Sequence, residues 1–579
     1  MSLTNVFDIG RSALTAGQLG IAVTGNNLAN VATRGYTRQI LDLTPAAGQQ
    51  LSSNTYLGRG VSISGVRRQI DQALQARLWS GTSENSGAEL KAGIASQIES
   101  TVGGLNDKNL ASNLTSFFNS WSEKSNQSLS SGLVVQQGDQ LAAYIRTLRS
   151  DLVEQRSQID RQLGQFANAA DDLLSRIADL NTQVSSAEGG GGVASSLRDQ
   201  RDQLITQLSE LMDVTSVEQP GGSVDILVHS TPVVLGGQSR GVELVRKNNE
   251  DGTTDVHIGV KATGEELDIR SGQLGASLDG RTASVDATIN QLDSVASQLI
   301  FQLNKLHSTG ANLKNPTLST GSLVIGASDR TRAMNDPSNQ TFADLPFKAV
   351  NGGFLVQVKQ SATGATQTVR VNVDLDGITS TGAAGTSNDT TPEQLRAALD
   401  AVPGVTASFD AQGRLAVKAD DGFEFSFADD SSGALAVLGM NAYFTGTNAR
   451  DIGVREDLLA DPSQLLTGRL VNGEFVQNGT AKQVVTLQDA PLTALGDRSI
   501  RAAWSDAIQT VGLTAQAASD RADSTRIVKD SLEAQRAGIS GVSTDEEAVN
   551  LINYQQQYQG AARLISIAQE MTQTLMSLV

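Results

Sequence analysis

Residues 541–579 constrain this chain more than any other stretch. Beyond Ser543-Thr544-Asp545-Glu546-Glu547, the residues Leu551, Tyr554, Tyr558, Ala561, Ile565, Ala568, Thr572, Leu575 and Val579 recur at alternating steps of three and four. Such a repeat keeps to one face of a helix and makes a seam. Leu564, Met571 and Leu578 broaden it on one side; no proline interrupts it, and Gly560 is its one glycine. A Ser or Thr three positions ahead of a glutamate predicts a capping box, the hydroxyl taking an orphan N–H while the Glu reaches back. The acids of the first turn suit the positive end of the helix dipole.

A seam needs a partner, and the other end of the chain offers one. Leu3, Phe7, Gly10, Leu14, Gly17, Ile21, Thr24, Leu28 and Val31 step by four and three in the same way. Phe7, Leu14, Ile21 and Leu28 are large at one core position, while Gly10, Gly17 and Thr24 are small at the other. Small residues let a second helix come close, at a propensity cost of about 1 kcal/mol per glycine. Two terminal helices packed together and enclosing the rest is the expected plan; an ordinary domain with helical ends is the plainer alternative. Residues 1–80 carry seven Arg against three Asp, a balance of +4, and residues 541–579 carry four acids against Arg563, a balance of -3. Opposite signs are compatible with packing, though exposed pairs contribute little. One helix pair is marginal against the entropy of ordering it, so neighbouring copies are expected to supply further contacts.

Asn26-Asn27-Leu28-Ala29-Asn30-Val31-Ala32-Thr33-Arg34-Gly35-Tyr36-Thr37-Arg38-Gln39 resembles the Asn-Asn-Ile-Ala-Asn-x-x-Thr-x-Gly-Tyr signature of flagellar rod, hook and hook-associated axial proteins. Gly541-Val542-Ser543-Thr544-Asp545-Glu546-Glu547, followed by Asn550-Leu551 and Tyr554-Gln555, narrows this, being similar to the C-terminus of the hook-associated protein 1 (FlgK) family, which joins hook to filament. Gly272-Gln273-Leu274-Gly275-Ala276-Ser277-Leu278-Asp279-Gly280-Arg281 and Asn304-Lys305-Leu306-His307-Ser308-Thr309-Gly310 resemble two internal elements of that family. On residue chemistry alone, the Asn run and Gly35 fit a helix ending in a turn, since both types tolerate left-handed backbone angles.

The resemblance implies a structural axial subunit that polymerises through its terminal helices into a ring-like homo-oligomer. It also implies contacts with the hook protein and a second junction protein, an export chaperone on the C-terminal helix, and secretion by the flagellar type III route to the hook–filament junction. The residues expected at the assembly interface are Phe7, Leu14, Ile21, Leu28, Asn30, Thr33, Gly35, Tyr36, Leu551, Tyr554, Tyr558, Ile565 and Leu575. Another rod or hook protein, or a secreted adhesin using the β-rich insert on a helical stalk, is the alternative.

Composition excludes several classes. There is no cysteine, so no disulfide, thiolate nucleophile or zinc–cysteine site. The start, Met1-Ser2-Leu3-Thr4-Asn5, lacks a basic region and a continuous apolar run, which argues against a cleaved signal. No apolar run reaches membrane-spanning length. A net charge of -18 disfavours a nucleic-acid surface.

Between the ends, the patterns predict a multidomain α+β protein. Long terminal and core helices form a coiled-coil-like helical bundle, with antiparallel β-rich outer domains inserted between them. Gly58-Arg59-Gly60-Val61-Ser62-Ile63-Ser64 alternates like a strand, and helix is expected from about Asp71 to Ser100. Ile159, Leu163, Phe166, Ala170, Leu173, Ile177, Leu180 and Val184, then Leu197, Leu204, Leu208 and Leu211 beyond Gly189-Gly190-Gly191-Gly192, predict a helical hairpin. No Gly-Lys-Ser/Thr follows those glycines, so they do not read as a phosphate loop. Val224, Ile226 and Val228, and Val256, Ile258 and Val260, alternate as strands, with turns at Gly221-Gly222 and Asp251-Gly252. Helix is expected again near Thr282 and from Ser499, and strands at 354–358, 369–373 and 414–417, with a helix opening at Thr391-Pro392-Glu393. The expected domains are 1–36 plus 541–579 as polymerisation core, 37–215 plus 282–312 plus 499–540 as helical bundle, 216–281 plus 446–498 as β-rich outer domain, and 346–445 as an inserted β-rich module.

Chemistry is sparse. His229, His257 and His307 sit at no metal-ligand spacing; the first two fall on the solvent side of strands, and His307 closes a helix, where an imidazole can satisfy the last carbonyls. Asp199-Gln200-Arg201-Asp202 reads as surface ion pairing on a helix. Asp374-Leu375-Asp376-Gly377 has the start of a calcium loop without the remaining ligands or the closing Glu. No enzyme, no cofactor, no metal and no nucleic-acid partner is expected.

Overall fold

The computed structural model describes residues 3–52, 55–103, 109–126, 129–248 and 254–577. Leu578, Val579 and the turn at Asp251-Gly252 lie outside these, as does the side chain of Leu3. Long helices stand at both ends and small antiparallel sheets lie between, so the expected fold class holds. The chain divides into two units, one of 1–94, 158–281 and 516–579, the other of 95–157 and 282–515. The helices Gln72–Gly103, Ser131–Glu188 and Ile500–Ser540 contribute residues to both.

In the first unit, the N-terminal helix Leu3–Ala29 leads through a turn to strand Gln39–Pro45. That strand pairs antiparallel with Val61–Arg68, with a bulge at Asp42/Leu43. The helical hairpin forms as expected between Ser131–Glu188 and Ser195–Leu211. Its glycine tip is clamped: Arg198 donates twice to Glu188, at 2.6 and 2.8 Å, and Glu188 also accepts the Ala194 N–H at 2.9 Å. Strands Thr215–Glu218, Val224–Val228, Thr231–Leu235 and Gln238–Ser239 form a sequential sheet, and Val242–Asn248 pairs with Thr254–Val260. Val224, Ile226, Val228, Val256, Ile258 and Val260 are all buried, as their alternation requires. Asn181 joins hairpin to sheet, donating to the Val224 and Gly236 carbonyls at 2.7 Å and accepting from the Val224 N–H and from Arg201.

Helix expected near Thr282 begins instead at Gly272, and residues 280–286 wind as a π-helical turn before Ala287–Ser308 continues. Gly272, Gly275 and Gly280 hide the helix from propensity. Gly272 itself has φ +75°, and a Cβ there would lie 2.5 Å from the Leu211 carbonyl carbon. Tertiary fit overrides local preference at this point.

The second unit is built around an aromatic cluster. Phe117, Trp121, Tyr443 and Phe444 pack with ring centroids 4.8–6.4 Å apart. Asn304 fixes the chain there, donating to the Phe444 carbonyl and accepting the Tyr443 and Phe444 N–H groups, all within 2.9 Å. Strand Gly352–Gln360 is central between Thr366–Val373 and Phe423–Ala428, and Leu415–Ala419 is central between Leu318–Thr320 and Val405–Phe409. Helix Pro392–Asp400 opens with a full Thr391/Gln394 capping box. His307 does not cap its own helix. Fully buried, it donates from Nδ1 to the Asn441 carbonyl at 2.6 Å and accepts the Leu466 N–H on Nε2 at 3.1 Å. Burial holds its pKa down at about 4.

Candidate assembly interface

The two terminal helices, Leu3–Ala29 and Thr544–Ser577, run antiparallel. Gly10 faces Ile565, Gly17 faces Tyr558, Gly20 faces Tyr554, and Asn27 reaches Glu547. Each step forward on one helix is matched by a step back on the other. A Cβ at Gly20 would lie 2.4 Å from the Tyr554 ring, at Gly10 2.7 Å from Ile565 Cγ1, and at Gly17 3.3 Å from the Tyr558 backbone. The approach therefore needs these glycines. Gly20 escaped the heptad reading because it stands one step off that repeat; its spacing of three from Gly17 was the available signal.

Which residues are covered differs from expectation. Gly10, Gly17, Gly20, Val23, Thr24 and Asn27 are buried, whereas Phe7, Leu14 and Ile21 are half-buried and Leu28 is 38% exposed. The small face meets the partner helix because backbone approach gains more contacts there, and the large side chains are displaced to its flank. On the closing helix, Ala561 and Ala568 are buried, and Leu551, Tyr554, Tyr558 and Ile565 are half-buried. The repeat predicts a seam that runs to the last residue; among the described residues its last buried position is Ala568, Leu575 being 50% and Met571 54% exposed. In the antiparallel register that pairs Gly10 with Ile565 and Gly17 with Tyr558, no side chain among the described residues covers Leu575.

The turn after the N-terminal helix is organised by side chains. The helix ends in a turn as expected, with Gly35 taking the left-handed conformation at φ +83° while Asn26, Asn27 and Asn30 keep negative φ. Buried Asn27 donates to the Gln39 carbonyl at 2.8 Å and to Glu547 at 3.1 Å, and accepts from the Gln39 N–H at 3.0 Å and the Tyr36 hydroxyl at 2.8 Å. All four of its hydrogen-bonding positions are thus filled. Asn30 bonds back to Asn26 at 2.9 and 3.0 Å, and exposed Thr33 donates to Asn30 at 3.2 Å. Burial, with the nearby Asp199 and Glu547 charges, pushes the Tyr36 hydroxyl up to about 12, so it remains a donor.

The glutamates of the expected capping box turn elsewhere. Ser543 Oγ accepts the Glu546 N–H at 3.4 Å, but both carboxylates bond to Arg38, Glu546 at 2.7 Å and Glu547 at 2.7–2.8 Å. The Arg38 N–H donates to the Ser540 carbonyl at 2.9 Å, tying the turn to the preceding helix. Asp199 and Arg201 are buried rather than at the surface. Arg68 donates to Asp199 at 2.9 Å and Asp202 at 2.6 Å, and Asp199 accepts the Thr37 N–H at 3.2 Å. Burial raises the Asp199 pKa despite Arg68. Helix spacing put these acids on a surface; only the fold brings Arg68 and Thr37 over them.

A glycine-faced antiparallel pair, closed by an Asn/Arg/Glu network and flanked by an uncovered apolar ridge, can hold an ordered end of the chain and offer it to other copies. A family described as flagella basal body rod protein matches residues 7–37, one described as flagellar basal body rod FlgEFG protein C-terminal matches 534–578, and one described as flagellar hook-associated protein FlgK helical domain matches 95–321. This is a self-assembling structural protein of the bacterial flagellar axis. Flagellar hook-associated protein 1 of Escherichia coli is 25% identical over the whole length of both chains, and that of Salmonella typhimurium is equally so. Flagellar hook-associated protein 1 of Bacillus subtilis is 25% identical over 97% of this chain and 95% of its own. Over its whole length the chain is thus similar to flagellar hook-associated protein 1.

Proposed function

We propose that this chain joins hook to filament, polymerising through the flank of its terminal helix pair. The observation that supports this most is the line Phe7, Leu14, Ile21 and Leu28, which lies beside the glycine contact instead of within it and stays partly open in a single chain. Leu575 and Met571, about half exposed near the other end of the pair, add to the apolar surface. Burying the exposed remainder of such half-buried side chains between copies stabilises by about 1 kcal/mol each, a part of the full-burial value. Leu551, Tyr554, Tyr558 and Ile565 form the inner wall of the pair, while Asn30, Thr33, Gly35 and Tyr36 shape the turn at its end.

In this reading the protein acts by position and not by catalysis. It is secreted to the outside of the cell, meets hook protein on one side and a second junction protein on the other, and before export has its closing helix held by a chaperone. No helix among the described residues is long and apolar enough to cross a membrane. Leu14→Asp tests the proposal in cells lacking the native protein. The variant is expected to be made and exported yet to hold no filament, with filament protein shed to the medium; normal filaments and swimming would overturn it.

A further inference from the structure

One cluster outside the helix pair carries chemistry. Asp374 and Asp376 follow strand Thr366–Val373, and Asp389 stands just before the Thr391 cap of helix Pro392–Asp400. Each offers a carboxylate oxygen, and the three oxygens lie within 4.8 Å of one another. Among the described residues, no lysine or arginine pairs with any of them. Asp389 is 1% exposed; its Oδ2 accepts from Asn335 Nδ2 at 2.5 Å and from the Gly377 N–H at 3.1 Å, but its Oδ1 is buried without a partner. A buried carboxylate oxygen left unpaired beside two further carboxylates is costly unless a cation joins them.

We propose that Asp374, Asp376 and Asp389 bind a hard divalent cation of the calcium class. Calcium takes oxygen ligands at about 2.3–2.6 Å, so two oxygens on one ion lie no more than about 5 Å apart, which this cluster satisfies. The local Asp-x-Asp-Gly segment begins the site, Gly377 making its turn at φ +68°. Tertiary structure supplies the missing third carboxylate. Asn335, already in contact with Asp389, carries an amide oxygen that is buried and unpartnered as well, and Asp376 is exposed, leaving a way in from solvent. The ion ties the segment after the strand to the start of the helix and stiffens this β-rich part of the second unit.

The test is calorimetric titration of the full-length chain, stripped with chelator, with calcium chloride and in parallel with magnesium chloride. One calcium per chain is expected, with a Kd on the order of 10⁻⁴ to 10⁻³ M or tighter, and a higher Tm in calcium. Asp389→Asn is expected to weaken binding at least tenfold. Because that buried change can impair folding, Asp376→Ala, at an exposed position, is measured as well and should weaken binding similarly with an unchanged circular-dichroism spectrum. Asp410→Asn, outside the cluster, should bind as the parent does. Absence of calcium heat at about 10 mM, tighter binding of magnesium than calcium, or a Kd unchanged by Asp376→Ala would each overturn the proposal.

Discussion

Arg38 and Glu547, more than five hundred positions apart, meet in a two-point contact of 2.7–2.8 Å with only 2% of the Glu547 side chain exposed. The same glutamate accepts from Asn27, so one carboxylate ties the turn, the N-terminal helix and the closing helix together. Removing one partner of a buried pair leaves the other uncompensated. Glu547→Ala should therefore cost about 2–3 kcal/mol, less than a fully buried pair because Arg38 keeps Glu546. Glu546→Ala, whose side chain is mostly exposed, should cost under about 1 kcal/mol. Urea unfolding of the two variants measures the difference; equal losses would contradict the geometry.

Glycines of the N-terminal helix should separate by position. Gly20→Val forces a side chain into the Tyr554 ring and is expected to cost about 1–3 kcal/mol through overpacking. Gly25, in the same helix, has open space where a Cβ would go. Gly25→Ala should stabilise by up to about 1 kcal/mol through helix propensity. Protease resistance of the helix pair should fall in the first variant and rise in the second.

Two charges on the closing helix distinguish folding from assembly. Ile565→Asp places a carboxylate against Gly10 and should lower the Tm of the isolated chain, at a cost of several kcal/mol. Leu575→Asp, at a half-exposed site, should leave that Tm within about a degree and act only on polymerisation. Thermal unfolding alongside sedimentation of assembled material reads both effects.

His307 predicts a pH dependence confined to the second unit. Its folded pKa of about 4 lies below the ordinary value of 6.5, so the folded state prefers the neutral ring. The unfolded chain binds the proton first. Stability from this group is complete above about pH 6.5 and falls as pH drops toward about 4, by about 3 kcal/mol in all. Carboxylates add their own dependence, so the informative quantity is the difference between parent and His307→Gln in urea unfolding at about pH 7 and about pH 4.5. Loss of the same stability in both chains would show that His307 contributes none.

By itself the sequence determined the terminal seams, the hairpin broken at Gly189–Gly192, the period-two strands and the Thr391 cap. Each of these is a local pattern whose geometry depends on neighbours a few positions away. The turn motif and the acidic cap carried the family likeness for the same reason. Only the tertiary structure decided that the glycine face of the first helix would be the one in contact, since Phe7, Leu14, Ile21 and Leu28 share the same repeat and are the more hydrophobic set. It also decided that Glu547 would serve Arg38 and Asn27 instead of its own cap, that His307 would bridge Asn441 and Leu466, and that Asp389 would complete the acidic pair at Asp374 and Asp376. Those choices rest on groups brought together from distant segments, where burial and hydrogen-bond satisfaction outweigh the local preference that periodicity records.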